Sequence, residues 1–212
     1  ITDGDVVAMK PMKGWDLAFS PISTLLGAPR GAHAWLDNDE LPFFMVGNQN
    51  GLQAYDGSTL ADVTPVGFTA GTLDAGTWTM DNMGEIGISC FDVDGRINEY
   101  QPGGGGLATV VTNSPTAKAA FVTDEKFLFA LAINGDPRAY AWCSQDERTV
   151  WTPTSLNSAG DLPINEVGLL MCGAKIKGGA LLWTTTGLYF NEFVGRPDIY
   201  GSERAGNNCG II

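Results

Sequence analysis

The sequence has 212 residues, 28 of them glycine, with a formal net charge of −12 and only 17% charged residues. A chain of this length buries roughly 70% of its extended surface on folding, enough for one large all-β domain or two small ones. The acidic balance argues against a DNA-gripping module, which needs clustered Lys and Arg to displace counterions. It does not exclude a surface past which DNA slides, because like charge repels the phosphates. No run approaches 18 apolar residues, so no membrane span is predicted.

Four segments repeat one pattern, in which an apolar strand, a turn centred on glycine and a second strand follow one another. In chain order they are LPFFMVGNQNGLQAYDG, EIGISCFDVDGRINEYQP, KFLFALAINGDPRAYAWCS and VGLLMCGAKIKGGALLWTT, with predicted turns at Asn50-Gly51, Asp94-Gly95, Asn134-Gly135 and Gly178-Gly179. Asn-Gly, Asp-Gly and Gly-Gly are the dipeptides of two-residue hairpins, whose central residues need positive φ. The sequence therefore predicts four β-hairpins.

The spacing of these turns predicts the architecture. The four turn glycines are 44, 40 and 44 residues apart, and a period of 40–45 residues built from hairpins is typical of a β-propeller. We therefore expect an all-β fold, a β-propeller-like array of antiparallel hairpin blades with about four to five blades visible; a β-sandwich with regular turns is the alternative. Residues 1–212 are read as a single domain with a lead-in over 1–27, and as part of a longer protein.

The glycine run 103–106 and the four cysteines do not indicate a cofactor or metal site. QPGGGGLATVV lacks the Lys that a phosphate-binding loop needs and is expected to be an exposed connector. The cysteines form no Cys-x-x-Cys pair and the only histidine is His33, which disfavours zinc. Cys90, Cys143 and Cys172 lie in apolar runs and are expected in the core, although two disulfides in a secreted chain remain an alternative.

Two further motifs are interpreted as structural. His33 stands beside Trp35 in PRGAHAWL, and with one histidine and no Gly-x-Ser-x-Gly element a catalytic triad is disfavoured, so a hydrogen-bonded structural role is expected. CFDVDGRINEY offers the oxygen ligands of a calcium loop but lacks the third early ligand and the distal Glu of an EF-hand, so turn chemistry is favoured. The oxygens in question belong to Asp92, Asp94, Asn98 and Glu99.

SQDERTVW, residues 144–151, is a degenerate Asp-box, with Arg148 at its usual Gly position and Val150 at its Thr position. Such boxes are fold elements of propeller turns and would support blades without supporting hydrolysis. The six arginines, at 30, 96, 138, 148, 196 and 204, are scattered, whereas sialidase-like enzymes need three in a cluster.

The six tryptophans could form sugar-stacking platforms or core. Trp142 and Trp183 fall in apolar strand patterns and are predicted to be core, whereas Trp78 and Trp151 lie near turns, where exposure is open. Most of the tryptophans are expected in the core.

Taken in order, several segments resemble a family of tailed-bacteriophage structural proteins. They are GAPRGAHAWL, FFMVGNQNGLQAYDGSTLADVTPVGFTAG, TWTMDNMGEIGISCFDVDGRINEYQP, SPTAKAAFVTDEKFLFALAINGDPRAYAWCSQDERTVWTP, AGDLPI and LLWTTTGLYFNEFVGRPDIYGSERAGNNCGII, and they cover most of residues 28–212. Members of the family are longer at both ends and often carry a Gly- and aromatic-rich insertion where this chain runs from TAGTLDAG into TWTMDNMG.

The resemblance implies a virion tail component, a propeller-containing nozzle or hub protein that retains packaged DNA until ejection. It implies a ring, expected to be a hexamer, below the portal and adaptor, with adaptor and other tail proteins as partners and assembly in the host cytoplasm. DNA only passes through the channel, without sequence-specific binding, and no membrane, enzyme activity, catalytic residue, cofactor or metal is expected. The alternatives are a carbohydrate-binding or glycan-degrading propeller, such as a receptor-binding protein, and a secreted bacterial propeller.

The last segment predicts one more hairpin, in LLWTTTGLYFNEFVG, with its turn at Thr186-Gly187. The following RPDIYGSERAGNNCG is expected to leave the blade as an irregular loop, because its Gly and Asn residues readily take positive φ. Cys209 is not expected to be a nucleophile, since there is no second histidine to activate it. The final isoleucines are interpreted as the start of another strand.

Overall fold

A computed structural model of the chain describes residues 25–55, 59–72, 76–165 and 167–211. Over these ranges the fold is all-β, as predicted. The strands are β1 Pro29–Leu36, β2 Pro42–Asn48, β3 Gly51–Tyr55, β4 Leu60–Asp62, β5 Trp78–Met83, β6 Ile86–Phe91, β7 Ile97–Tyr100, β8 Thr109–Val110, β9 Ala119–Val122, β10 Leu128–Leu131, β11 Ala139–Trp142, β12 Gly160–Pro163, β13 Leu170–Ile176, β14 Gly179–Thr184, β15 Gly187–Gly195 and β16 Ile199–Asn207. One turn of 3-10 helix, Ile133–Gly135, interrupts them, and within the described ranges no helix is long and apolar enough to cross a membrane.

The strands form four antiparallel sheets of four strands each. Sheet 1 holds β1–β4, sheet 2 holds β5–β8, sheet 3 holds β9–β12 and sheet 4 holds β13–β16, and within each sheet sequence neighbours are hydrogen-bonded neighbours. Every sheet is therefore a simple meander, the form that a repeated hairpin pattern produces.

The sheets pack face to face, and alternation along each strand supplies the core. In sheet 3, Phe121 and Phe129 pack toward sheet 4, whereas Ala120, Val122 and Leu128 pack toward sheet 2. A third cluster lies between sheets 1 and 2. Because side chains alternate between the two faces of a strand, an inner sheet contributes to two cores at once, which is why β9 and β10 are buried along their whole length.

The first strands of successive sheets lie next to one another: β1 contacts β5, β5 contacts β9, and β9 contacts β13. The fourth strands are mostly short, with three, two and four residues in β4, β8 and β12. The four meanders thus stack like blades, with their first strands along one common line and their last strands at the outside.

The predicted hairpins are present, but three of the five predicted turns are shifted. Asn48 pairs with Gly51, so the first turn is Gln49-Asn50 and Gly51 belongs to β3. Gly51 is needed for close packing, because a Cβ there would collide with the side chain of Thr64. Ile176 likewise pairs with Gly179, which makes the fourth turn Lys177-Gly178. The hairpin after it is shifted in the same way, with β15 starting at Gly187.

The other two turns are longer than two residues yet use the predicted positive φ. Gly95 (φ +74°) closes the connection between β6 and β7, and Asn134 (+52°) and Gly135 (+83°) lie in the 3-10 turn between β10 and β11. The first three predicted hairpins, β2–β3, β6–β7 and β10–β11, join the second and third strands of their sheets. The fourth, β13–β14, joins the first and second strands of its sheet. The turn glycines are regularly spaced in the sequence, but the fourth lies at a different place in its sheet from the other three.

One prediction about the C-terminal segment is wrong. The segment expected to leave as a loop contains β16, a nine-residue strand that pairs with β15 along its length and completes sheet 4. Its Gly residues are accommodated because the ladder is bulged, with register shifts between Leu188 and Tyr189 and between Phe193 and Gly195. Ile211 is not in a strand; its N–H donates to the Thr184 carbonyl. Most of the predicted lead-in lies outside the described residues.

Candidate functional site

Asp81, on β5, is the centre of a polar cluster where the first strands of the four sheets meet. Its side chain is only 8% exposed. Lys175, from β13, donates to its carboxylate at 3.0 and 3.4 Å, and the backbone N–H groups of Val122 and Asn82 donate at 2.9 Å each. One carboxylate thus connects sheets 2, 3 and 4, and we call this group and His33 the axial cluster.

His33 brings sheet 1 into the axial cluster. Its Nε2 lies 2.9 Å from Oδ1 of Asn82 and 3.9 Å from Oδ1 of Asp81, and its ring stacks on Trp35 with centroids 5.7 Å apart. His33 thus has the hydrogen bond that was expected of it.

The hydrogen bonds of the axial cluster link neighbouring strands. The Asp81 carboxylate already accepts bonds from an ammonium and two backbone amides, so its lone pairs are committed to holding strands. Sequence reasoning did not single out Asp81. The signal was available, because an Asp in TWTMDNMG interrupts a run that otherwise reads as a half-buried strand.

Asp92 and Asp94 of CFDVDGRINEY accept hydrogen bonds within a turn, which agrees with the turn chemistry favoured for them. Asp94 takes a two-pronged bond from Arg96, at 2.7 and 3.0 Å, and accepts from the Thr69 N–H at 2.8 Å. Asp92 accepts from the Thr77 N–H at 2.8 Å. Both lie in the turn after β6. Across the described residues, no three His, Cys, Asp or Glu side chains are grouped so as to hold a metal ion.

The degenerate Asp-box forms a compact loop between β11 and β12. Ser144 donates its N–H to the Val150 carbonyl at 2.7 Å, and Trp151 Nε1 donates to the Arg148 carbonyl at 2.7 Å. The Arg148 side chain forms an ion pair with Glu99 of sheet 2. The loop therefore connects sheet 3 to sheet 2 and contributes to holding the two sheets together.

Four of the tryptophans are buried, so Trp78 and Trp151 are not exposed platforms. Trp78 Nε1 donates to the Asn48 carbonyl and Trp142 Nε1 to the Ser158 carbonyl, both at 2.9 Å. These bonds satisfy indole N–H groups that would otherwise be buried without a hydrogen-bond partner. Trp35 is also buried. Trp183 is only half-buried, on the outer face of sheet 4, so its prediction as core holds in part.

All four cysteines are free, which is contrary to the two-disulfide alternative. Cys90 and Cys143 are fully buried, as predicted, while Cys172 is half-buried and Cys209 exposed. Burial, reinforced by the charges of Asp92 and Asp94, raises the pKa of the Cys90 thiol to about 12, and burial raises the pKa of Cys143 to about 12. Neither buried thiol is a candidate nucleophile, because the reactive species is the thiolate.

An open cleft of about 1000 Å³ lies between sheets 3 and 4. One wall is the connection that leads into β12, and the other is the turn between β15 and β16. Asp161 and Asp198 both line the cleft. In one wall, Ile199 has a φ of +58°, and the Tyr200 N–H donates to the Asp198 carbonyl at 2.7 Å. This is a strained turn for a β-branched residue.

The outer face of sheet 4 is apolar and carries no described sheet. Cross-strand pairing places Cys172, Trp183 and Leu188 in one row, and Ala174, Leu181 and Phe190 in the next. All six are partly or fully exposed. In sheets 2 and 3, faces of this composition are buried against a neighbouring sheet.

Comparison of the sequence with protein-family models gives no match, and neither does comparison with curated proteins. A proposal about function therefore depends on the fold, on the site geometry and on the segments that, in their order along the chain, resemble the tail-protein family.

Proposed function

We propose that the protein is a non-enzymatic structural component of a bacteriophage tail, a nozzle or hub subunit built from β-propeller-like blades. The observation that carries the proposal is the stack of four meander sheets whose first strands lie side by side. A β-propeller arranges its blades in this way, with four-stranded sheets around a common centre. The ordered segments that resemble the tail family lie on this stack.

The apolar outer face of sheet 4 supports assembly into a ring. A monomer that exposes a contiguous apolar sheet face is prone to association. The row of Cys172, Trp183 and Leu188 contains no charged side chain, and the row of Ala174, Leu181 and Phe190 meets one, Glu203, at the β16 edge. Association there avoids the repulsion that a net charge of −12 creates elsewhere on the surface. In this proposal copies of the chain form a hexameric ring and other tail proteins bind the ring.

The acidic balance supports a channel role in the same ring. A lumen lined by carboxylates repels the phosphates and lets DNA pass without sticking. DNA is then cargo of the channel during ejection, and the surface needs no sequence-specific contacts.

Cryo-electron microscopy of the purified protein, with its mass in solution measured by light scattering, tests this proposal. A ring with an acidic lumen is expected, and a basic lumen, or a chain that stays monomeric, contradicts it. Trp183→Arg should dissociate the ring by placing a charge in the contact. The matched control is Leu156→Arg, which changes an exposed loop residue and should leave the mass unchanged.

A carbohydrate-binding propeller is the second candidate, and the cleft that holds Asp161 and Asp198 is the observation in its favour. Carboxylates there would accept hydrogen bonds from sugar hydroxyls. The burial of Trp78 and Trp151 removes the aromatic platforms that this candidate needed. A glycan array separates the two: saturable binding that is lost in Asp161→Asn would favour the second candidate.

A further inference from the structure

The stack of four sheets has two ends, and each end carries an apolar sheet face that no described sheet covers. One is the outer face of sheet 4, which presents Leu181 and Trp183. The other is the face of sheet 1 that points away from sheet 2. We propose that these two faces bind each other between copies of the chain, so that sheet 4 of one protomer packs on sheet 1 of the next. This contact depends on the ring proposed above and identifies the surface that the outer face of sheet 4 meets there.

The end face of sheet 1 is apolar along β1 and the start of β2. Its exposed part consists of five side chains, those of Ala32, Ala34, Leu36, Pro42 and Phe44. In the ladder Ala34 is opposite Phe44 and Leu36 is opposite Pro42, so these side chains share one face. The alternate residues Trp35 and Phe43 belong to the core shared with sheet 2, which places the exposed set on the opposite face.

The three junctions inside the chain show how such faces are used. Each junction joins one sheet to the next sheet in chain order, and the first strands β1, β5, β9 and β13 contact one another in succession. Among the described residues, sheet 4 has no following sheet and sheet 1 has no preceding sheet. A second copy supplies both, because its sheet 1 can follow sheet 4 in the same order. The proposed contact therefore continues the established packing from one chain into the next.

The side chains at the two ends fit the packing inside the stack. Trp35 of sheet 1 lies over Gly87 of sheet 2, and Phe121 of sheet 3 lies over Gly173 of sheet 4. In both junctions an aromatic ring on one sheet meets a small residue on the following sheet. The outer face of sheet 4 presents the ring of Trp183, and the exposed alanines of β1 in the next copy are the small residues.

Acidic residues lie at the far edges of both faces and limit the overlap. Glu203 is on β16, the fourth strand of sheet 4, and Asp62 is on β4, the fourth strand of sheet 1. Two carboxylates brought together by complete overlap would repel each other. The contact is therefore centred on the first and second strands of each sheet, around Trp183 and Ala34.

Complementation between two variants tests this contact. Trp183→Arg blocks the sheet 4 face and Phe44→Arg blocks the sheet 1 face, so each variant alone should be monomeric by light scattering. Mixed in equal amounts they should form a dimer, because one variant keeps an intact sheet 1 face and the other keeps an intact sheet 4 face. No larger species should appear, since both ends of that dimer are blocked.

Two further variants keep the test sharp. Ala34→Arg, at an exposed position on β1, replaces Phe44→Arg if circular dichroism shows that the latter does not fold. Leu156→Arg, in an exposed loop, is the matched control and should keep the mass of the parent.

The outcomes separate this contact from the ring itself. A Phe44→Arg protein that assembles like the parent, while Trp183→Arg is monomeric, overturns the contact and leaves the ring proposal in place. A Phe44→Arg protein that forms only dimers indicates that sheet 4 binds sheet 4 of the second copy, and this also overturns the contact. Two monomeric variants that do not combine overturn it as well. A parent chain that is monomeric contradicts the ring and the contact together.

Discussion

At the scale of single residues, the Asp81 side chain connects several strands. It receives bonds from β9, from β13 and from its own strand, and His33 of β1 approaches it. Its partner Lys175 remains 45% exposed at the side chain, so water also solvates that ammonium and the pair itself contributes modestly. The larger contribution comes from satisfying the buried backbone N–H of Val122 and the partly buried N–H of Asn82.

We expect Asp81→Asn to lower the free energy of unfolding by about 2 kcal/mol. An amide of the same size has one acceptor oxygen, so it cannot serve three donors, and its NH₂ group would face a backbone N–H. Urea denaturation followed by fluorescence measures the change. Asp124→Asn, at an exposed position, is the control and should stay within about 0.5 kcal/mol of the parent. Equal free energies of unfolding for the two variants would show that the Asp81 carboxylate does not stabilise the fold.

At the scale of elements, large aromatic side chains pack directly on strand glycines. A Cβ on Gly47 would lie less than 3.0 Å from the ring of Trp78, and the same holds for Gly160 beneath Trp142 and for Gly173 beside Phe121. In each case the missing side chain makes room for a ring from another strand. The glycine content that predicted turns thus has a second use, in the cores between sheets.

Gly47→Ala is expected to destabilise the fold by about 1–3 kcal/mol, because the added methyl forces Trp78 or the strand to move. Gly106→Ala is the matched control, since no atom lies within 4 Å of its Cβ position. Thermal unfolding followed by circular dichroism should show a lower Tm for the first variant and little change for the second. A Gly47→Ala protein as stable as the parent would contradict the packing described for Trp78.

The sequence predicted that these hairpins form, but it did not predict which residues occupy all of the turns. Alternating apolar residues around a Gly dipeptide indicated each hairpin, but Gly51 and Gly179 turned out to be the first residues of strands. Tertiary contact decided this: Thr64 packs against Gly51, and the backbone of Asn191 packs against Gly179. A dipeptide rule for φ cannot reveal a glycine that is required by close approach.

At the scale of the whole molecule, the buried thiols make stability depend on alkaline pH. Burial raises the pKa of Cys90 and Cys143 from the ordinary 9.0 to about 12. Below pH about 9 both thiols are protonated in the folded and the unfolded chain, so they add no pH dependence. Above it the unfolded chain releases protons that the folded chain retains, so the free energy of unfolding falls as pH rises toward about 12.

The expected slope is about 1.4 kcal/mol per pH unit for each fully titrating thiol. Urea midpoints measured between pH about 7 and about 10.5 should be flat at first and then decline. Cys90→Ala should remove part of the decline, whereas Cys209→Ala, which changes an exposed thiol, should leave it intact. An unchanged slope in Cys90→Ala would mean that its thiol titrates normally in the folded protein.

The sequence by itself determined the all-β class, the hairpins and the turn that holds Asp92 and Asp94, because alternation and turn chemistry are local. Only the tertiary structure decided that Asp81 joins the four first strands, that Trp78 and Trp151 are buried, and that β16 is a strand. Each of these depends on contacts between residues far apart in the chain, such as Asp81 with Lys175, and no local pattern encodes which distant partner a side chain will meet.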